Sequence, residues 1–162
     1  MSARLRALLG HPRLALAFRL YLGGLFIYAS IYKIQYPAEF AESIAAYQIV
    51  PHFLVNPMAA VLPWLELICG TLAVAGLRVR AALAVMAGLM AAFTLSLAWV
   101  VALDIPIGCG CFTGQEAEAG PLTLLRDLAW LAMALHAWAF DRLFHLENRF
   151  TWKVSELPCP PA

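Results

Sequence analysis

The chain has 162 residues, of which 63% are hydrophobic and only 13% are charged, and its mean hydropathy is +0.77. A soluble domain has roughly half of its residues apolar and about a quarter charged, so this composition indicates an integral membrane protein. The net charge of +1 excludes the strongly basic surface that is typical of nucleic-acid binding. The predicted partner is instead the lipid bilayer.

Four long apolar segments follow one another along the chain. They cover residues 14–36, 57–77, 81–103 and 121–144. Each is about 20 residues long or slightly longer, which is enough for a helix to cross a hydrocarbon core of about 30 Å. The basic N-terminal residues resemble the start of a signal peptide, but the first apolar run is too long and contains Arg19, so we interpret it as a retained span. We predict an all-α fold, a single integral membrane domain that forms a four-helix bundle, with a cytoplasmic tail at residues 145–162.

A short amphipathic segment separates the first two spans, at residues 37–50. Phe40, Ile44 and Tyr47 recur there at helical spacing, and Glu39 and Glu42 lie on other sides of the same helix. This pattern predicts a short helix in the membrane interface, and it is equally consistent with a loop helix packed on the bundle.

The positive charges predict the orientation of the spans. Arginine and lysine precede the first span, occupy the link at residues 78–80 and follow the fourth span, whereas the links at 36–56 and 104–120 have neither. The positive-inside rule therefore predicts a multi-pass protein of the bacterial inner membrane with both termini in the cytoplasm. The link that carries Cys109 and Cys111 then lies on the periplasmic side.

Cys109-Gly110-Cys111 is the motif that most directly suggests chemistry. An extracytoplasmic location permits disulfide formation, and two cysteines one residue apart close a very small ring. Strained, exposed disulfides are usually the ones that exchange, so we predict a redox pair. A structural disulfide, two unpaired thiols and metal binding are the alternatives. Two thiolates supply only half of a tetrahedral site and the histidines are distant in sequence, so no metal site is predicted.

Three ionisable residues, Lys33, Glu66 and Arg126, interrupt the predicted spans in their outer halves. Ionisable side chains within a membrane are costly and are candidates for function. A carboxylate between two cations would neutralise much of the buried charge and leave a positive potential that favours thiolate over thiol. A static network that locks the helices together is equally consistent with the pattern.

The sequence also predicts the environment of four further residues. Asp127 lies about 100° around the helix from Arg126 and is expected to meet another span or a lipid headgroup. Arg19 is expected to snorkel towards the cytoplasmic interface. His136 is expected to be a packed histidine in preference to a quinone ligand, and Cys69 to be a small residue of the core.

Several of these motifs together resemble the MauE branch of the DoxX-like membrane proteins, a branch named for methylamine utilisation. The first span ends with Ala-Ser-Ile-Tyr-Lys-Ile at residues 29–34, and the second contains Pro-Trp-Leu-Glu at 63–66. Cys-Gly-Cys-Phe at 109–112, followed by Arg126 and Asp127, is the most specific part of the resemblance. The resemblance extends from about residue 14 to residue 144.

The resemblance implies a four-helix membrane bundle that works with a periplasmic thioredoxin-fold protein. By the family pattern, Cys109 and Cys111 are the redox pair, and Lys33, Glu66 and Arg126 are the supporting polar residues. MauE is associated with disulfide maturation of a methylamine dehydrogenase subunit, but many relatives lie outside methylamine metabolism, so that substrate is not carried over. A quinone is suggested as the membrane carrier only by analogy with other four-helix thiol-oxidising proteins, because no motif in the sequence is a quinone fingerprint.

The function expected from these observations is that of a membrane thiol–disulfide oxidoreductase. The first alternative is a non-catalytic assembly or anchoring subunit in which the disulfide pins the outer loop. The second is a thiol-based carrier of a metal or a small solute. The uncharged third span argues mildly against a polar path through the bundle, and so against the second alternative.

Overall fold

The computed structural model describes residues 11–103, 120–141 and 143–144, and within these ranges the protein is helical, with no strand. The five helices of the described residues are α1 Pro12–Gln35, α2 Pro37–Ala46, α3 His52–Ala75, α4 Val79–Ala102 and α5 Pro121–Phe140. The prediction of an all-α fold is confirmed. Helices α1, α3 and α4 are long and apolar enough to cross a membrane, which fits a multi-pass membrane protein.

The helices differ from the predicted apolar spans mainly at two ends. Helix α3 begins at His52, five residues before the predicted start at Pro57, and Pro57 and Pro63 both lie inside it. Prolines are tolerated inside membrane helices because neighbouring groups can satisfy the carbonyl that each one leaves unpaired. Helix α5 ends at Phe140, four residues before the predicted end at Phe144, because Asp141 has an extended backbone conformation.

Helices α1 and α3 approach each other closely through two glycines. A Cβ atom added to Gly70 would lie 2.9 Å from the carbonyl oxygen of Gly23, and one added to Gly23 would lie 2.7 Å from Cγ2 of Val74. Small residues allow helix backbones to pack at such short range in a membrane. The tight contact holds α1 alongside α3.

A three-residue turn reverses the chain between α3 and α4. Gly76 has φ 79°, a left-handed conformation that glycine adopts without a steric penalty, and it ends α3. The N–H of Leu77 then donates to the carbonyl oxygen of Leu72 at 3.0 Å. So short a turn places α4 next to α3, and the two helices pack on each other.

The core lies between α1, α3, α4 and α5. Helix α5 packs against α4 and α1, and the short helix α2 packs mainly against α3. Buried residues from all four long helices share one apolar cluster, which includes Leu22, Cys69, Leu83, Met86 and Ala134. Cys69 is therefore a residue of the core, as predicted.

A buried ion pair links α1 to the end of α5. Nη1 of Arg19 donates to Oδ2 of Asp141 at 2.6 Å and to the carbonyl oxygen of Leu143 at 3.0 Å. The expectation that Arg19 snorkels to the interface is wrong, because only 1% of the residue is exposed. A carboxylate from the other end of the chain neutralises the guanidinium inside the protein, so the side chain does not need to reach water.

Candidate functional site

Lys33 and Glu66 form an ion pair between α1 and α3. Nζ of Lys33 donates to both carboxylate oxygens of Glu66, at 2.7 and 2.8 Å. The side chains are only 13% and 15% exposed, respectively. The ring of Phe40 from α2 lies 4.8 Å from the same Nζ, which is a cation–π distance. Two of the three ionisable residues predicted from the sequence therefore lie together, where three helices meet.

Arg126 and Asp127 occupy different environments on α5. Cζ of Arg126 lies 4.7 Å from the centre of the Trp130 ring, and the Arg126 side chain is 34% exposed. The Asp127 side chain is 3% exposed, and its Oδ1 accepts from Nε of Arg126 at 3.4 Å, which is long for a hydrogen bond. The carboxylate seen in contact with Arg126 is thus Asp127, and the expected placement of Glu66 between two cations stays a prediction.

One carboxylate oxygen of Asp127 receives no hydrogen bond from the residues that the structure describes. Its Oδ2 is buried and has no hydrogen-bond partner among the residues that the structure describes. Buried carboxylate oxygens are normally satisfied, because an unpaired one loses its bonds to water and gains nothing in return. A residue that serves only the packing of helices is not expected to leave a buried carboxylate oxygen unpaired, and Asp127 differs from such residues in this respect.

A cavity of about 320 Å³ connects these polar residues. Lys33, Glu66 and Asp127 all contribute to its lining, and side chains from all five helices surround it. Most of the lining is apolar, and it contains the aromatic residues Phe26, Phe40, Tyr47, Phe93 and Trp130. The site is thus an apolar chamber with three charged groups, which is the usual composition of a small-molecule pocket.

The cavity lies near one end of α4 and α5. Thr94, in its lining, is eight residues before the end of α4 at Ala102, or about 12 Å along the helix. Asp127 is six residues after the start of α5 at Pro121, or about 9 Å. Residues 103–120 connect these two helix ends, so the segment with the cysteine motif is attached at the end of the protein where the cavity lies.

Tyr47 borders the cavity between α2 and α3. It is 8% exposed and its ring meets Phe93 edge to face, with 6.0 Å between the ring centres. Burial, together with the charge of nearby Asp127, raises the pKa of Tyr47 to about 12. The phenol group therefore stays protonated at neutral pH and can donate a hydrogen bond.

Helix α2 turns its apolar residues towards the protein. Phe40, Ile44 and Tyr47, which carry the helical spacing seen in the sequence, all line the cavity. Glu39 lies on another side of α2 and accepts a hydrogen bond from the hydroxyl group of Tyr32. These contacts favour a helix packed on its neighbours, the second of the two interpretations of this segment.

The other predicted residues lie away from the cavity or outside the described part of the chain. His136 packs between the rings of Phe18 and Phe140, with centre-to-centre distances of 5.3 and 4.9 Å, which agrees with a packed histidine. Cys109 and Cys111 lie outside the described residues, as do Cys159 and the predicted cytoplasmic tail. Within the described ranges no group of three or more His, Cys, Asp or Glu residues is placed to hold a metal ion.

Sequence reasoning did not include Asp127 and Tyr47 among the site residues. Asp127 was expected to meet another span or a headgroup because it shares no helix face with Arg126. A carboxylate within an apolar segment is itself a signal for function, and that signal alone was sufficient to select it. Tyr47 carried no comparable signal, because an aromatic residue at helical spacing is usually a packing residue.

Comparison with known proteins gives one consistent result. A profile of the family described as methylamine utilisation protein MauE matches residues 11–140. The methylamine utilization protein MauE of Methylophilus methylotrophus is 35% identical over 136 residues, which cover 82% of this chain and 71% of that protein. The proteins of the same name from Paracoccus denitrificans and Methylorubrum extorquens are 33% and 32% identical, over 76% and 79% of this chain and 68% and 69% of their own lengths. No solved structure matches the chain.

Proposed function

We propose that this chain, which belongs to the MauE family, is a membrane thiol–disulfide oxidoreductase that acts through Cys109 and Cys111. In this proposal it exchanges electrons between a periplasmic thioredoxin-fold protein and a carrier in the bilayer. The relatives are named for methylamine utilisation. The proposal concerns the membrane thiol chemistry and does not depend on that substrate.

The proposed membrane arrangement has four spans. Helix α5 has 20 residues, a length of about 30 Å, and would cross the bilayer beside α1, α3 and α4 as the fourth member of a bundle. Both termini would be cytoplasmic, because the segments rich in Lys and Arg all fall at one end of the helices. Helix α2 would then lie at the periplasmic end of the long helices, packed on them where it covers the cavity.

The observation that carries the proposal is the position of the charged cavity relative to the ends of α4 and α5, which the segment with the cysteine motif joins along the chain. Lys33, Glu66 and Asp127 surround a chamber at the end of the protein to which residues 103–120 are attached. Charged groups near a dithiol shift its thiol–thiolate balance, and a buried carboxylate can hold a proton during electron transfer. In this proposal Lys33, Glu66 and Arg126 support the reaction and Cys109 and Cys111 perform it.

The proposed exchange proceeds through a mixed disulfide. A thiolate of one cysteine attacks a disulfide of the partner, a bond forms between the two proteins, and one partner sulfur leaves as a thiolate. The second cysteine displaces the remaining partner sulfur, so the Cys109–Cys111 disulfide forms while the partner takes up two electrons and two protons. The reverse sequence oxidises the partner and leaves the pair reduced, and two electrons and two protons then pass to a quinone, which becomes a hydroquinone.

The redox state of Cys109 and Cys111 in intact membranes tests this function. A membrane-impermeant thiol reagent would be applied while the pair is titrated against a dithiothreitol couple. We expect labelling from the periplasmic side and reversible reduction at a potential above about −250 mV. Cys109→Ser and Cys111→Ser should each abolish exchange while the protein remains inserted. Cys69→Ala is the matched control, because Cys69 lies in the core and should affect neither result.

A pair that resists reduction well below about −300 mV would contradict the proposal. So would a Cys109→Ser/Cys111→Ser protein that retains its full function. Either result would identify the disulfide as structural and the protein as an anchoring or assembly subunit.

A further inference from the structure

We infer that the cavity binds the ring of a hydroquinone lipid and that the Asp127 carboxylate accepts a hydrogen bond from the ring hydroxyl group. This inference rests on the proposed function, because it assigns a binding site to the quinone that serves there as the membrane carrier. It joins three observations: an unsatisfied buried acceptor, a lining rich in aromatic rings and an opening at the protein surface.

The acceptor is Oδ2 of Asp127. The side chain is 3% exposed, Oδ2 has no hydrogen-bond partner among the described residues, and Oδ1 has the long 3.4 Å contact with Arg126. An ionised carboxylate only accepts hydrogen bonds, so the group that satisfies it must bring a donor. Asp127 lines the cavity, and the terminal torsion of an aspartate is broad, so the carboxylate can rotate to present an oxygen to a bound donor.

The walls favour a flat, apolar ring. Phe40, Tyr47, Phe93 and Trp130 contribute aromatic surface to the lining. A volume of about 320 Å³ is near the lower limit of the roughly 300–1,000 Å³ that is typical of ligand pockets. One substituted ring and the first part of a tail fit this space, whereas a folded peptide segment does not.

The same lining can also bind the oxidised form of the ring. Lys33 has three N–H donors, and two of them go to Glu66. A quinone carbonyl is an acceptor and needs such a donor, while a hydroquinone hydroxyl needs the carboxylate of Asp127. One chamber therefore presents the complementary groups for both members of a two-electron, two-proton couple.

A lipid carrier can reach this chamber from the surface. Ile49 is 46% exposed and is also part of the lining, as is the exposed residue Ala92 on α4. Residues that both line a cavity and face outwards mark the place where the cavity opens. An isoprenoid tail can leave through this opening along the apolar surface of α4.

The test compares a hydroquinone probe with a version that cannot donate a hydrogen bond. Saturable binding of decyl-ubiquinol and of its dimethyl ether would be measured on the full chain in lipid nanodiscs, in a Cys109→Ser/Cys111→Ser background that removes thiol chemistry. We expect the unmodified site to bind the hydroquinone about ten- to a hundredfold more tightly than the ether, because only the hydroquinone can donate a hydrogen bond to the charged carboxylate. Asp127→Leu should bring the two affinities to within about twofold of each other.

Thr71→Val is the control away from the cavity. Thr71 lies on α3 outside the lining and is exposed, and its hydroxyl group donates to the carbonyl oxygens of Leu67 and Ile68 at 2.9 Å, so its loss should leave the preference unchanged. The circular-dichroism spectrum and elution volume of each variant establish that it is folded. Asp127→Asn offers a second variant of nearly the same shape, and it should weaken the preference.

The outcomes separate this inference from the proposed function. An equal preference in the unmodified and Asp127→Leu proteins would overturn the assignment of Asp127, and the absence of saturable binding of both probes would overturn the site. Neither result would affect exchange through the cysteines. Conversely, a strong preference that depends on Asp127 would support the site even if Cys109 and Cys111 prove to be redox-inert.

Discussion

Two ion pairs join distant parts of the chain, and they differ in how far they are removed from solvent. The Arg19 and Asp141 side chains are 2% and 1% exposed, whereas those of Lys33 and Glu66 are 13% and 15% exposed. Removing one partner of a deeply buried pair leaves an uncompensated charge, which is more costly than losing a partly solvated one. Breaking the first pair is therefore expected to destabilise the fold more than breaking the second, which in the proposed function supports the chemistry at the cavity.

The same conservative change at both acidic residues tests this difference. Asp141→Asn should lower the free energy of unfolding by about 3–5 kcal/mol, because Arg19 keeps its shape-matched partner but loses the neutralising charge. Glu66→Gln should cost about 1–3 kcal/mol, because Lys33 is nearer to solvent and retains an amide acceptor. Reversible unfolding in mixed detergent micelles would measure both values.

Arg13→Met is the control for these variants, since Arg13 lies on the same helix as Arg19 with an exposed side chain. It should leave the unfolding midpoint nearly unchanged. Arg19→Met/Asp141→Leu should recover much of the stability that Asp141→Asn loses, because the double change leaves no buried charge. Equal losses for Asp141→Asn and Glu66→Gln would mean that burial does not distinguish the two pairs.

The sequence identified individual site residues but not their partners. Lys33 and Glu66 could be selected because ionisable residues are rare within apolar segments, and this argument requires no knowledge of the fold. The pairing of Arg19 with Asp141 spans 122 positions and depends on how α5 returns beside α1, which local pattern does not encode. The expectation for Asp127 rests on its position relative to Arg126 around one helix. Its actual environment is the cavity between helices, which that position does not reveal.

Helices were predictable because a bilayer imposes a length and an apolar composition on every element that crosses it. The ends of the helices are harder to predict where polar and apolar residues alternate. Helix α3 extends past Pro57 to His52, since a proline that usually marks a helix start is also tolerated inside a membrane helix. The stripe Phe40, Ile44 and Tyr47 predicts helix α2 correctly, but lipid and protein interior are both apolar, so its spacing cannot tell which one it faces.

The contact between α1 and α3 gives a prediction at the level of paired helices. Gly70→Ala should destabilise the protein by about 1–3 kcal/mol, because the new methyl group would lie 2.9 Å from the Gly23 carbonyl oxygen and force the helices apart. Gly24→Ala is a matched control on α1, since no atom lies within 4 Å of the Cβ position there. It should be neutral or slightly stabilising, because alanine favours the helix.

Thermal unfolding of the two variants in the same detergent would give the comparison directly. A lower midpoint for Gly70→Ala alone is the expected result. Equal midpoints for the two variants would show that α1 and α3 can separate at little cost, and the close glycine contact would then not set their packing.

At the scale of the whole molecule, the cavity and the proposed redox motif are both associated with the same end of α4 and α5. The ends of α4 and α5 that lie nearer to the cavity are the ends to which the segment with Cys109 and Cys111 is attached. A periplasmic partner can reach that segment only if this end faces the periplasm. The proposed thiol chemistry and the proposed carrier site therefore both depend on the orientation of the helices in the membrane.

Cysteine labelling at opposite ends of α3 tests the orientation. In a protein without its natural cysteines, Glu42→Cys on α2 should react with a membrane-impermeant maleimide from the periplasmic side. Leu77→Cys, 39% exposed and just beyond the other end of α3, should react only after the membrane is permeabilised. The reason is that α3, about 36 Å long, separates a link without Lys or Arg from one that contains Arg78 and Arg80. Labelling of both positions from one side would mean that α3 does not cross the bilayer. A reversed pattern would place the cavity at the cytoplasmic face, where thiols are kept reduced, and exchange with a periplasmic protein would then be impossible.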